Sequence, residues 1–105
     1  MELVEAVYAV TSSFPVEECC GLAGQMRRAA ISAPANIAEG AARAGTKEYM
    51  HFLSIASGSL SELDTLLTLA TRLGYANNVE ALQTKLDDVS GLILGLVASL
   101  RRRSA

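Results

Sequence analysis

Apolar residues recur at intervals of three and four along most of the chain, which is the spacing of one face of an α-helix. The pattern is clearest between positions 22 and 41, where an apolar stripe lies beside a polar face. Nowhere do apolar and polar residues alternate in the manner of a half-buried strand. The pattern therefore predicts an all-α protein. The stripe consists of Leu22, Met26, Ala30, Ala33, Ile37 and Ala41.

Residues that begin or end helices divide the pattern into four helices. Four amphipathic helices joined by short loops predict an up-and-down antiparallel four-helix bundle, in a single domain that covers residues 1–105. The predicted helices cover residues 3–12, Pro15 to about Ala42, Thr46 to Leu73, and Asn77 or Asn78 to Leu100.

Pro34 interrupts the hydrogen bonding of the predicted second helix. Its ring has no N–H to donate to the carbonyl of Ala30, and it crowds that carbonyl. We therefore expect a Pro-kinked second helix, bent at this residue.

Polar side chains lie beside the apolar stripes of the second and third helices. Charged groups are tolerated next to a core only when they are paired and hydrogen-bonded. We predict that the charged residues of this set pair with one another or with Asn36, within the bundle or across a subunit boundary. Direct ligand binding by the same residues is the alternative. The predicted polar network and interface comprises Arg28, Ser32, Asn36, Glu39, Ser59 and Glu62.

Residues suited to catalysis or metal binding are sparse. Glu48 and His51 have the spacing used in carboxylate-bridged di-iron bundles, but such a site needs that pair twice and the chain has one histidine. The serines lie in no G-x-S-x-G elbow. Cys19 and Cys20 are adjacent, which suits neither a normal disulfide nor a two-plus-two zinc site, so we expect small apolar packing. The sequence therefore predicts no enzymatic activity, no metal and no cofactor.

The apolar content predicts self-association. Apolar residues make up 50% of the 105 residues even without glycine, and the third helix carries a second apolar stripe beside the first. A helix that is apolar over so wide an arc is expected to be covered on two sides. We therefore expect a non-enzymatic, homo-oligomeric interaction module that assembles through second apolar faces of the third and fourth helices.

The chain shows no signal for a membrane. The longest apolar run, residues 92–98, is far shorter than the roughly 20 residues that a membrane span needs. The first residues lead into an amphipathic pattern rather than a secretory leader. We expect a cytoplasmic protein.

The charges support two opposite interpretations of nucleic-acid binding. The formal net charge is −2, whereas a protein that binds polyanions is normally basic. Three arginines nevertheless close the fourth helix, and repeated around a ring they would form a basic collar suited to phosphates. The alternative function is therefore an accessory protein that binds RNA or DNA. Its predicted contacts are Arg27, Arg43, Lys47, Arg101, Arg102 and Arg103.

One run of residues resembles a known protein family. The run is Ser32-x-Pro34-x-Asn36-Ile37-Ala38-Glu39-Gly40, preceded by Gln25 and Arg27-Arg28. It resembles the signature of 23S rRNA intervening-sequence proteins, and the likeness continues through Leu73-Gly74-Tyr75 to cover nearly the whole chain. The resemblance implies a small four-helix bundle that assembles into rings, commonly pentamers, with no enzymatic activity and an unsettled cellular role. Accessory proteins of diversity-generating retroelements resemble this family in fold, and they bind nucleic acid and a reverse transcriptase through a basic surface.

Overall fold

A computed structural model describes residues 2–18 and 21–104 of the chain, except for the side chain of Ser104. The described residues form four α-helices and one short 3-10 helix, without a strand. The prediction of an all-α four-helix bundle is confirmed, whereas the predicted packing of Cys19 and Cys20 lies outside these residues. In chain order the elements are α1 (Glu2–Thr11), the 3-10 helix (Val16–Glu18), α2 (Leu22–Ala41), α3 (Thr46–Arg72) and α4 (Glu80–Ser104).

Each α-helix packs on its neighbours in the chain, and α4 also packs on α1. The rings of Phe14 and Tyr75, with centroids 5.8 Å apart, join the end of α1 to the segment before α4. At the other end of α1, Lys85 Nζ lies 3.0 Å from Glu2 Oε1. Therefore α1 and α4 run antiparallel. The connections from α2 to α3 and from α3 to α4 are short, so the whole bundle runs up and down.

The core combines small residues of α2 with leucines of α3. Ala29, Ala30 and Ala33 of α2 are buried, and their short side chains let the two helices approach closely. The contact between α2 and α3 is the most extensive in the bundle. On α3 the buried residues are Leu53, Ala56, Leu60, Leu63, Leu67 and Ala70.

Every α-helix also exposes polar residues, as expected for an amphipathic helix at the surface of a bundle. Among the described helices, none has the length and apolar character needed to span a membrane.

Helix α3 ends as its local sequence predicts. Gly74 has a φ of 80°, in the left-handed region that favours glycine. Its N–H bonds to the carbonyl of Thr71 (3.1 Å), and the N–H of Tyr75 bonds to the carbonyl of Ala70 (3.0 Å). These two bonds form a Schellman motif, which satisfies carbonyl groups at the helix end.

Two helices begin later in the chain than predicted. Helix α4 begins at Glu80 rather than at the preceding asparagines, because Asn78 has a φ of 52° and cannot belong to a right-handed helix. Helix α2 begins at Leu22 rather than after Pro15. The Glu18 carboxylate accepts a hydrogen bond from the Leu22 N–H (3.3 Å) and so satisfies one free donor at this later start.

Pro34 lies inside α2, which is helical on both sides of it. The predicted bend at this residue stays a prediction.

Helix α1 is shorter than the other α-helices, so the second half of α4 extends beyond the start of α1. A groove opens at this point, lined by Glu2, Leu3, Pro34, Lys85, Asp88 and Val89.

Gly40 permits the close approach of α2 and α3 at the end of α2. A Cβ atom at this buried position would lie 2.9 Å from Phe52 Cβ and 2.9 Å from Tyr49 Cδ1. It would also lie 3.3 Å from the carbonyl oxygen of Tyr49. The backbone oxygen cannot swing aside as a flexible side chain can, so the packing of these two helices requires glycine here.

We expect Gly40→Ala to lower the free energy of unfolding by about 1–3 kcal/mol, because the added methyl group overpacks the contact. Urea denaturation measures the change. The matched control is Gly58→Ala on α3, where a Cβ would meet no neighbouring heavy atom within 4 Å. This control should raise the free energy of unfolding by roughly 0.5–1 kcal/mol through helix propensity. Equal changes in the two variants would contradict the packing argument.

Two glycines of α4 have no packing role within the protomer. A Cβ atom at Gly91 or Gly95 would meet no neighbouring heavy atom within 4 Å. Both lie in the interior of α4, where glycine costs roughly 0.5–1 kcal/mol relative to alanine. The contacts of a single protomer therefore give no reason for glycine at these positions.

Candidate interaction surfaces

A small polar network joins the middle of α2 to α3. Asn36 Nδ2 donates to the Ser32 carbonyl oxygen (2.8 Å) and to Ser32 Oγ (3.0 Å). Ser59 Oγ lies 2.9 Å from Ser32 Oγ and 3.2 Å from the Ile55 carbonyl oxygen, and its single proton can serve only one of them at a time. The structure thus brings together three residues of the predicted network, Ser32, Asn36 and Ser59.

The three charged members of the predicted network are exposed in the protomer. Glu39 Oε2 lies 2.9 Å from Arg43 Nη2, one turn further along the chain. Arg28 and Glu62 form no ion pair within the part of the chain that the structure describes. Glu39 therefore pairs with Arg43, four positions along the chain, and not with Arg28 or Glu62. Pairing of these charges across a subunit boundary stays a prediction.

Arg27 is held between α1 and α2. Its Nε donates to Thr11 Oγ1 (2.9 Å), and its guanidinium carbon lies 4.6 Å from the centre of the Tyr8 ring. Thr11 is buried and its hydroxyl lies 2.8 Å from the Val7 carbonyl oxygen. A guanidinium group over an aromatic face is attracted by the ring quadrupole. Arg27, predicted as a nucleic-acid contact, thus has a structural role that the sequence reading missed.

We expect Arg27→Met to lower the free energy of unfolding by about 1–2 kcal/mol, because it removes a side-chain hydrogen bond and a cation–π contact. Methionine keeps much of the apolar packing of the arginine stem. The control is Arg28→Met, at an exposed neighbouring position, which should change the value by no more than about 0.5 kcal/mol. Urea denaturation at one protein concentration compares the two. A smaller loss at Arg27 than at Arg28 would contradict the assigned contacts.

Five cationic residues gather at one end of the bundle. Helix α4 runs antiparallel to α3, and Gln83 near its start donates to Asp64 Oδ1 in the second half of α3 (3.3 Å). The last turn of α4 therefore lies beside the first turn of α3. The basic end is formed by Arg43, Lys47, Arg101, Arg102 and Arg103, five of the nine cationic residues of the chain.

Two carboxylates partly neutralise the positive charge of this basic end. Arg43 lies 2.9 Å from Glu39 and 3.8 Å from Glu48, measured between nitrogen and oxygen. The guanidinium of Arg43 also covers the ring of Phe52, with 5.2 Å from its carbon to the ring centre. Lys47 and the three arginines of α4 form no ion pair among the described residues. The end is therefore basic on balance.

The opposite end of the bundle carries the acidic residues Glu17, Glu18 and Glu80, together with Arg72. The bundle is 48 Å long, whereas charges are screened over about 10 Å at 0.1 M salt. The two ends therefore act independently on a charged ligand, so the net charge of −2 does not describe the basic end.

Apolar side chains remain uncovered on α3 and α4. On α3, Ile55 is 39% exposed and Leu69 is 46% exposed. On α4, Leu92 is 55% exposed and Leu94 is 71% exposed. The second apolar stripe predicted for α3 is thus only partly covered by the protomer, because Ile55 is exposed while Ala70 is buried. This stripe consists of Phe52, Ile55, Ser59, Leu66 and Ala70.

The remaining titratable groups offer little chemistry. Within residues 2–18 and 21–104, no three His, Cys, Asp or Glu side chains lie close enough to hold a metal ion. Glu48 and His51 line a shallow depression with Arg43, Lys47 and Phe52. At the other side of the bundle, the hydrogen bond from Lys85 lowers the pKa of the Glu2 carboxyl.

Comparison with protein families gives one match. The family model described as 23S rRNA-intervening sequence protein matches residues 1–95. The chain belongs to this family. No curated protein matches the chain.

The matched range contains the whole polar network. The run that resembles the family signature lies on α2, where Ser32 contacts Asn36 and also Ser59 of α3. The match ends at residue 95, so the three arginines that close α4 lie beyond it. The family match therefore gives no information about these three arginines.

Proposed function

We propose that the protein is a non-enzymatic, homo-oligomeric interaction module of the cytoplasm. The observation that supports self-association is the uncovered apolar surface of α3 and α4, with Ile55, Leu69, Leu92 and Leu94 all more than one third exposed. Leaving apolar side chains in water is unfavourable, and association with a second copy would cover them.

The proposed assembly is a closed ring, and five protomers is the size that the sequence resemblance implies. Closed symmetric assemblies are the rule among homo-oligomers, and a ring uses two different surfaces of each protomer. Ile55 and Leu69 of α3 lie on a different helix from Leu92 of α4, which supplies the two surfaces.

We expect multi-angle light scattering to give a mass several times that of the monomer, constant over a range of micromolar concentrations. A mass of five protomers, or a multiple of five where rings join, would agree with the proposed ring. A stable monomer throughout this range would refute self-association, whatever the ring size.

The second candidate function is nucleic-acid binding through the basic end. The observation that favours it is the position of Lys47, Arg101, Arg102 and Arg103 at one end of the bundle without ion-pair partners among the described residues. Arginine and lysine bind phosphates by charge, without regard to base sequence. Affinity capture of the tagged protein from cell extract, with and without nuclease, tests this candidate. Nuclease-sensitive recovery of RNA or DNA would support it.

A further inference from the structure

The outward face of α4 combines small residues with one protruding leucine. Gly91, Leu94, Gly95 and Ala98 are exposed and lie within one stripe, because residues three and four apart share a helix face. Leu94 is 71% exposed, more than any other leucine in the described part of the chain. The two glycines have open space around them and no packing role in the protomer. This face therefore has one protruding side chain, Leu94, beside a smooth strip formed by Gly91, Gly95 and Ala98.

The same face carries opposite charges at its two ends. Asp87 and Asp88 precede the smooth strip, and Arg101 and Arg102 follow it. The two arginines form no ion pair among the described residues, and Asp87 accepts a hydrogen bond from Gln83 Nε2 (3.0 Å). A helix laid on this face in the opposite direction, with the same charge order, would place each acidic pair against a basic pair.

A second copy of α4 has that charge order. In the register that sets Asp87 against Arg102 and Asp88 against Arg101, the small residues also meet. Gly91 then lies opposite Ala98 of the second copy. The charges and the small residues thus select the same register independently of each other.

In that register Leu94 lies opposite Gly95 of the second copy, and the relation is reciprocal. The protruding leucine of each copy meets a position without a side chain. Close approach of two helices requires small residues at the point of contact, which gives Gly91 and Gly95 the role that the protomer lacks.

We propose that α4 pairs antiparallel with α4 of a second copy, about a two-fold axis between Leu94 and Gly95. This inference rests on the proposed self-association and specifies one of its contacts. A two-fold contact closes between two copies. In an assembly of rings it joins one ring to another. Closure of each ring is left to the exposed residues of α3 and to Leu92, which lies about 200° around α4 from Leu94.

Disulfide trapping tests the geometry. In a background with Cys19→Ser and Cys20→Ser, Leu94→Cys places one thiol beside the proposed axis. Oxidised glutathione should convert most of this variant into a covalent dimer at micromolar concentration. The control is Leu73→Cys in the same background, an exposed leucine just after the end of α3. Equal trapping of the two variants would overturn the proposal.

Charge reversal provides a second test that needs no cysteine. Asp87→Arg with Asp88→Arg should weaken the association of copies about tenfold or more, because like charges then face each other. Adding Arg101→Asp and Arg102→Asp should restore it. Circular dichroism checks that each variant stays helical, which is expected because all four residues are exposed.

The outcomes separate this inference from the proposed function. An unmodified protein that is monomeric overturns both. An unmodified protein that is oligomeric, with a mass unaffected by the charge reversal, overturns the α4 pairing and leaves self-association standing. Loss of association on the first reversal and recovery on the second supports the pairing.

Discussion

Replacing Leu63 by alanine should lower the free energy of unfolding by about 2–5 kcal/mol, as large-to-small changes in a core do. Leu63 is 0% exposed and lies in the middle of α3, the helix that packs on both α2 and α4. It belongs to the same buried cluster as Met26 and Leu82. The substitution removes apolar contacts from this cluster and leaves a cavity that the surrounding helices close only in part.

Small domains are stable by only about 5–15 kcal/mol, so this single change removes a large share of the total. Urea denaturation of both proteins at one protomer concentration gives the difference. The matched control is Leu73→Ala, the same substitution just after the end of α3 at a position that is 51% exposed. It should cost no more than about 1 kcal/mol. A control as destabilising as Leu63→Ala would mean that burial of Leu63 is not the cause of the loss.

Helix periodicity predicted the architecture because the stripe that it identifies on α2 supplies Met26, Ala30 and Ala33 of the core. Ala41, at the end of the same stripe, is exposed. The end of α3 was also predictable, since Leu73 and Gly74 carry their own closing motif. The start of α4 was not predictable. The left-handed conformation of Asn78 is one that asparagine tolerates but does not require, so it depends on the path of the chain between two packed helices.

The polar residues were harder to assign than the core. The bond between Asn36 and Ser32 joins residues one helical turn apart, so spacing alone suggests it. The link from Ser32 to Ser59 depends on the register between two helices. The spacing of residues within one helix gives no information about that register.

Two contacts were missed for different reasons. Glu39 and Arg43 have the i, i+4 spacing of a helical ion pair, so the sequence does indicate this contact. The prediction instead paired Glu39 with residues further away in the chain. The stacking of Arg27 on Tyr8 joins separate helices, so no pattern within one helix predicts it.

The basic end leads to the second large prediction. If this end binds RNA or DNA, replacing Lys47 and Arg103 by serine should reduce the dependence of affinity on salt. The logarithm of the binding constant falls with the logarithm of salt concentration by about 0.9 for each duplex phosphate neutralised. Loss of two such contacts should therefore flatten the slope by about 1.8. Neither residue belongs to the face of α4 proposed for pairing, so the assembly should be unchanged.

The control has the same net charge and leaves the basic end intact. Arg28→Ser with Arg72→Ser removes two exposed cationic residues that lie away from the last turn of α4. Its slope should equal that of the unmodified protein, because screening confines each charge to about 10 Å at ordinary salt and the bundle is 48 Å long. Fluorescence anisotropy with a labelled duplex of random sequence, measured from low to moderate salt, compares the three proteins. If the unmodified protein binds no duplex even at low salt, or if both double variants flatten the slope equally, the basic end is not a nucleic-acid site.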